Sequence, residues 1–77
     1  MDEDDPNMEE TLILTYEIIQ LIEQNIESFT EEETQEVLTS NETIQFFLEQ
    51  DNTERALIEA HNLKKYLIKL TNFIYDN

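Results

Sequence analysis

Carboxylates are the side chains with the most chemical potential in this sequence, and four lie between positions 31 and 36: Glu31, Glu32, Glu33 and Glu36. Glutamates at this density can start a helix, bind cations or contact a basic partner. Acid–base catalysis by paired carboxylates needs a cleft between them, and a chain of 77 residues is too small to build a convincing one. We therefore expect recognition or helix initiation from these residues.

Other reactive groups are sparse. The chain has one histidine, His61, and neither cysteine nor glycine. A histidine base needs an orienting carboxylate, and Glu59, two positions away on a helix, faces elsewhere. Zinc sites rely on histidine and cysteine, whereas phosphate-binding and EF-hand loops need glycine. The sequence therefore predicts no enzyme activity, no cofactor and no metal site.

The charge is unevenly distributed along the chain. Residues 1–54 contain 17 acidic side chains and no lysine or arginine, whereas residues 55–77 carry a net +2, for a total of −15. Direct nucleic-acid binding requires a basic patch to engage phosphates, so it is not expected. A negative field of this strength instead attracts a basic protein.

The acidic surface is thus predicted to bind a basic protein. In the sharper form of this hypothesis, the partner is a nucleic-acid-binding protein whose phosphate-binding groove the carboxylates occupy. In size and charge the chain resembles small acidic inhibitors carried by phages and mobile elements, and an antitoxin or immunity-type role is a related hypothesis. An acidic surface that serves only solubility is equally compatible with the sequence. The predicted partner-binding residues are Asp2, Asp4, Asp5, Glu31, Glu32, Glu36, Glu42 and Glu49.

Capping patterns and apolar spacing predict an all-α fold. Residues 1–6 are expected to form an acidic flexible tail, and residues 7–77 a single helical bundle domain. Asn7 is the predicted cap of a first helix over about 8–28. Thr30 with Glu33 forms a capping-box pattern before a short helix over about 31–39.

Two further helices are predicted, over about 41–49 with Ser40 as cap and over about 52–75 with Asp51 as cap. Whether the segments 31–39 and 41–49 are separate or form one bent element is not determined by the sequence. The expected architecture is a small antiparallel helical bundle in which two long helices flank two short ones.

Apolar spacing also predicts the core. The first helix is expected to bury a stripe of Leu12, Tyr16, Ile19, Ile22 and Ile26, widened by Leu14, Ile18 and Leu21. The last helix has a heptad-like seam of Ala56, Ala60, Leu63, Leu67, Leu70 and Ile74. Packing of this seam within the chain is favoured; the alternative is a structural or assembly protein that forms a helical homodimer through it.

Phe46 and Phe47 are expected in the core, with docking into a partner groove as the alternative.

The longest purely apolar run is three residues, as in Leu12–Leu14, so neither a membrane span nor a signal-peptide core is predicted. We therefore expect a cytoplasmic monomer or homodimer.

Overall fold

The computed structural model describes the backbone of residues 5–76 and the side chains of residues 5–72. Its elements are α1 (Pro6–Asn25), a 3₁₀ turn (Ile26–Ser28), α2 (Glu31–Glu49) and α3 (Thr53–Asp76). Every regular element in this part of the chain is helical, which confirms the predicted all-α class. The structure packs three helices together, and the predicted count of four was wrong.

The difference lies in α2, which runs without interruption through the position predicted to separate two short helices. Ser40, the predicted cap, is an interior residue of α2. Val37 and Ile44 are seven residues apart, so they lie on one face of a continuous helix, and both are buried in the core. Burial of this shared face outweighs the modest helix propensities of Ser40 and Asn41.

The start of α1 was also misplaced. Asp5 caps the helix, because its Oδ1 atom accepts hydrogen bonds from the backbone N–H groups of Asn7 (3.1 Å) and Met8 (3.4 Å). Pro6 occupies the first helical position, where its missing N–H is no disadvantage. Asn7 therefore lies inside the helix, and Asp5 and Pro6, assigned to the tail from the sequence, begin α1.

The predicted capping box at the start of α2 is confirmed. The Glu33 N–H donates to Thr30 Oγ1 (3.0 Å), and the Thr30 N–H donates to Glu33 Oε1 (2.9 Å). Phe29, immediately before the cap, is buried in the core. The two hydrogen bonds satisfy backbone donors that the first turn would otherwise leave unpaired.

A tight reversal joins α2 to α3. Asp51 adopts a positive φ of 59°, and the Asn52 N–H donates to the Phe47 carbonyl while the Asp51 N–H donates to Leu48. This is a Schellman motif whose left-handed position is usually glycine, a residue this chain lacks. Asn52 Oδ1 accepts the Arg55 N–H, so Asn52, not the predicted Asp51, caps α3.

The helix directions follow from contacts between α1 and α3. Asp5 contacts Thr53 and Glu17 contacts Lys64, so sequence positions increase together and the two helices run parallel. The short reversal at residues 50–52 makes α2 antiparallel to α3. In a bundle of four helices joined by three chain reversals, the first and last helices would run antiparallel. Because the two predicted short helices form the single helix α2, the chain reverses only twice.

The core takes residues from all three helices and from Phe29: Leu14, Ile18, Ile22, Phe29, Val37, Ile44, Ala56, Ala60, Leu63 and Leu67. The predicted seam of α3 is confirmed from Ala56 to Leu67, and Leu70 packs against it. The side chain of Ile74 lies outside the described residues. Because α1 and α2 cover it, this seam is used within the chain.

The predicted core residues of α1 were half right: Leu14, Ile18 and Ile22 are buried, and Leu21 packs against the core. Leu12, Tyr16, Ile19 and Ile26 are exposed, whereas the buried residues of α1 are Thr11, Leu14, Thr15, Ile18, Ile22 and Asn25. The Thr11 and Thr15 hydroxyls donate to backbone carbonyls one turn earlier, at 2.6 and 2.8 Å. These bonds satisfy the hydroxyls, so threonine can occupy core positions that a hydrophobic pattern does not reveal.

Candidate functional site

The predicted acidic residues fall into separate environments. Asp2 and Asp4 lie outside the described residues. Asp5 is occupied by the cap of α1 and by a 2.9 Å hydrogen bond that its Oδ2 accepts from Thr53 Oγ1. The Asp5 carboxylate is therefore already engaged in structural hydrogen bonds, and it could mimic a phosphate only while keeping or giving up these bonds.

Glu36 faces the neighbouring helix. The Tyr66 hydroxyl donates a hydrogen bond to its carboxylate. This bond, followed by partial burial and by the charges of Glu36 and Glu33, raises the pKa of Tyr66 to about 12. Glu36 thus contributes to the contact between α2 and α3 and is set apart from the other predicted residues of α2.

The remaining predicted residues form what we call the acidic face of α2: Glu31, Glu32, Glu42 and Glu49, all exposed. Glu31 and Glu42 are eleven residues apart and Glu42 and Glu49 seven, so these three share one side of the helix, and Glu32 lies beside Glu31 in the first turn. Phe46, 54% exposed, and Leu38 are exposed on the same helix. The expectation that Phe46 is a core residue was wrong, whereas Phe47 packs against the core.

The two ends of this face have different relationships to the helix dipole. Glu31 and Glu32 lie in the first turn of α2, where a carboxylate is stabilised by the partial positive charge of the helix terminus. Glu49 lies in the last turn, where the partial negative charge of the helix terminus repels its carboxylate. Glu42 lies between the two ends of the helix. Helix initiation therefore accounts for Glu31 and Glu32 but leaves Glu42 and Glu49 without a structural explanation.

Two of the four cations of α3 form ion pairs away from this face. Lys64 Nζ lies 2.6 Å from Glu17 Oε1 of α1, and Arg55 lies 3.3 Å from Glu59 within α3. Arg55 also stands over the Phe47 ring, 5.4 Å from its centroid. Among the described residues, no cation forms an ion pair with the acidic face of α2.

His61 is exposed, and its Nε2 lies 3.3 Å from Glu10 Oε2 of α1.

An open groove of about 280 Å³ lies between α2 and α3, lined by Glu36, Ser40, Glu59, Asn62, Leu63 and Tyr66. It contains a serine and two carboxylates but not His61. The residues that the structure describes include no group of three or more histidine, aspartate or glutamate side chains that could hold a metal ion.

A second surface was missed by the sequence analysis. We define the outer face of α1 as Leu12, Ile13, Tyr16, Ile19 and Ile26, the last in the adjoining 3₁₀ turn; all five are exposed. The periodicity was visible, but it was assigned to the core. Recognising Thr11 and Thr15 as buried would have required knowing which side of α1 contacts α3.

Within residues 5–76, no helix combines the length and the apolar content needed to cross a membrane. Comparisons with protein-family models, curated proteins and solved structures found no match to this chain.

Proposed function

We propose that this chain is a non-enzymatic interaction module that binds a basic protein surface through the acidic face of α2. The favoured partner is a nucleic-acid-binding protein, whose phosphate-binding groove the glutamates would occupy. Binding of this kind would inhibit the partner by excluding its nucleic acid.

One observation carries this proposal: in the part of the chain that the structure describes, neither Glu42 nor Glu49 forms an ion pair with a cation. Both are exposed, neither caps a helix, and Glu49 opposes the dipole of α2. The two residues are two helical turns apart, a rise of about 10 Å. A row of unneutralised carboxylates at this spacing is stabilised when lysines or arginines of another protein lie opposite it.

The charge of the whole chain supports the same partner class. A net charge of −15 steers cationic proteins toward the molecule and repels nucleic-acid phosphates. Salt screens exposed charges over about 10 Å at 0.1 M ionic strength, so affinity should fall as salt is added. We therefore expect fast association at low salt and a strong dependence of the association rate on ionic strength.

The proposal is tested by affinity capture from cell lysate at low salt, with proteins eluted by increasing salt and identified. The informative pair is wild type against Glu42→Gln/Glu49→Gln. The control is Glu27→Gln/Glu54→Gln, which removes the same charge from other exposed positions. Loss of a captured basic protein with the α2 pair and its retention with the control support the proposal.

Equal effects of the two pairs would show that net charge alone determines capture and would reject the acidic face of α2 as a site. Capture that salt does not reverse would also reject an electrostatic interface. Purified partner is then assayed for nucleic-acid binding in the presence of the chain, since the inhibitor hypothesis predicts competition.

A further inference from the structure

The outer face of α1 has an unusual composition for a solvent-exposed surface. Tyr16 is 65% exposed, Ile13 56% and Leu12 54%. The buried side of the same helix contains Thr11, Thr15 and Asn25 beside three aliphatic residues. Thus α1 exposes four large apolar side chains and buries three, and an exposed apolar row of this kind marks an interaction surface.

The row has the register of a helix-binding surface. Leu12, Tyr16, Ile19 and Ile26 follow one another at spacings of four, three and seven residues. Side chains at these positions form one stripe along a helix, and a second helix can pack along such a stripe. The position that would complete the pattern, four residues after Ile19, is occupied by the exposed Glu23.

Charge complementarity identifies the occupant. α1 contains no lysine or arginine, and Glu9 and Glu23 are exposed beside or within the apolar row. A second copy of this chain would bring another such helix and another net charge of −15 against it. A partner helix with cations beside its apolar stripe would instead place opposite charges against Glu9 and Glu23.

We propose that the outer face of α1 docks an amphipathic helix of a partner protein whose apolar stripe is flanked by lysine or arginine, with one cation opposite Glu23. This inference rests on the proposed function because it takes the partner to be basic. It adds that the partner presents a helix and that apolar contacts supplement the charges.

The probe is a synthetic amphipathic helix about three heptads long, with leucine and isoleucine on one face and lysine on both flanks. A second peptide replaces every lysine with glutamate. Binding of each labelled peptide to the intact chain is measured by fluorescence anisotropy. The lysine peptide is expected to bind and the glutamate peptide is not.

The docking face is tested with Tyr16→Gln/Ile19→Gln, matched by Ile58→Gln/Ile68→Gln, which changes two exposed apolar positions of α3. Glutamine preserves helix propensity, and circular dichroism verifies that each variant is folded. The α1 pair should weaken binding about tenfold or more, whereas the α3 pair should leave it unchanged. Glu23→Lys should weaken binding more than Glu54→Lys.

The inference is overturned if the α1 pair binds the lysine peptide as wild type does, or if the glutamate peptide binds equally well. It is also overturned if sedimentation shows a dimer that Tyr16→Gln/Ile19→Gln dissociates, because the occupant is then a second copy. Failure of the proposed function is separate: it would appear as unchanged capture of a basic protein by Glu42→Gln/Glu49→Gln.

Discussion

The Asp5 carboxylate joins the first turns of α1 and α3 by accepting hydrogen bonds in both. Oδ1 accepts the Asn7 N–H at 3.1 Å, and Oδ2 accepts Thr53 Oγ1 at 2.9 Å. One side chain thus caps a helix and fixes its position against a parallel neighbour 48 residues further along the chain.

Asp5→Ala should lower the free energy of unfolding by about 1–2 kcal/mol, because it removes both the cap and the link to Thr53. Thr53→Ala removes only the link and should have a smaller effect. Chemical denaturation of the two variants measures the difference. Equal stability of Asp5→Ala and wild type would show that Asp5 is free in solution and available to a partner.

The ion pair between Glu17 and Lys64 is predicted to stabilise the packing of α1 on α3. Its two atoms are 2.6 Å apart, and both side chains are partly exposed. A double-mutant cycle with Glu17→Gln and Lys64→Met should give a coupling free energy of about 0.5–1 kcal/mol, near the upper end for exposed pairs.

The Arg55–Glu59 pair within α3 provides the comparison, with an expected coupling of about 0.3–0.5 kcal/mol. Added salt should reduce both values. A zero coupling for Glu17 and Lys64 would contradict the prediction, and it would mean that desolvation and side-chain ordering offset the attraction.

Features that depend on residues close together in the sequence, or on one uninterrupted apolar side, could be predicted from the sequence. The Thr30–Glu33 box depends on residues three apart, and the α3 seam has one uninterrupted apolar side, so both were predicted correctly. Ser40 and Asp51 carry similar local capping signals, but neither caps a helix. At Ser40 the burial of Val37 and Ile44 prevailed, and at the reversal Asn52 took the capping role.

The side of α1 that faces the core depends on tertiary packing and could not be derived from periodicity. Threonine counts as polar in a sequence pattern, yet Thr11 and Thr15 satisfy their hydroxyls on their own backbone and are buried. The candidate acids were identified by charge alone. Their division into Glu36, which contacts Tyr66, and Glu42 and Glu49, which face solvent, required the placement of α3.

Asp51 is predicted to be suboptimal for stability. Its φ of 59° lies in the left-handed region, where a side chain with Cβ is strained and glycine is not. Asp51→Gly should raise the free energy of unfolding by about 0.5–1 kcal/mol, measured by chemical denaturation. Asp51→Asn removes the same charge and keeps a side chain that tolerates this conformation, so it isolates the electrostatic part.

Asp51→Ala should destabilise the protein, because alanine has the Cβ without the polar group that tolerates the left-handed region. If glycine and alanine had equal effects, the backbone at the reversal between α2 and α3 would differ from the structure.

Tyr66 should lose its proton at a higher pH than an ordinary tyrosine because of Glu36. The pKa of Tyr66 is raised from 10.0 to about 12, first by its hydrogen bond to the Glu36 carboxylate. A raised pKa in the folded state means that this interaction stabilises fully below pH 10 and that the stabilisation is lost as pH rises from about 10 to 12. Tyrosinate absorbance measures the titration, with Tyr66→Phe identifying its component. Glu36→Gln should lower the pKa of Tyr66 toward 10, whereas Glu42→Gln, on the acidic face, should not change it. If the pKa of Tyr66 stayed raised in Glu36→Gln, the cause would be burial together with the charge of Glu33.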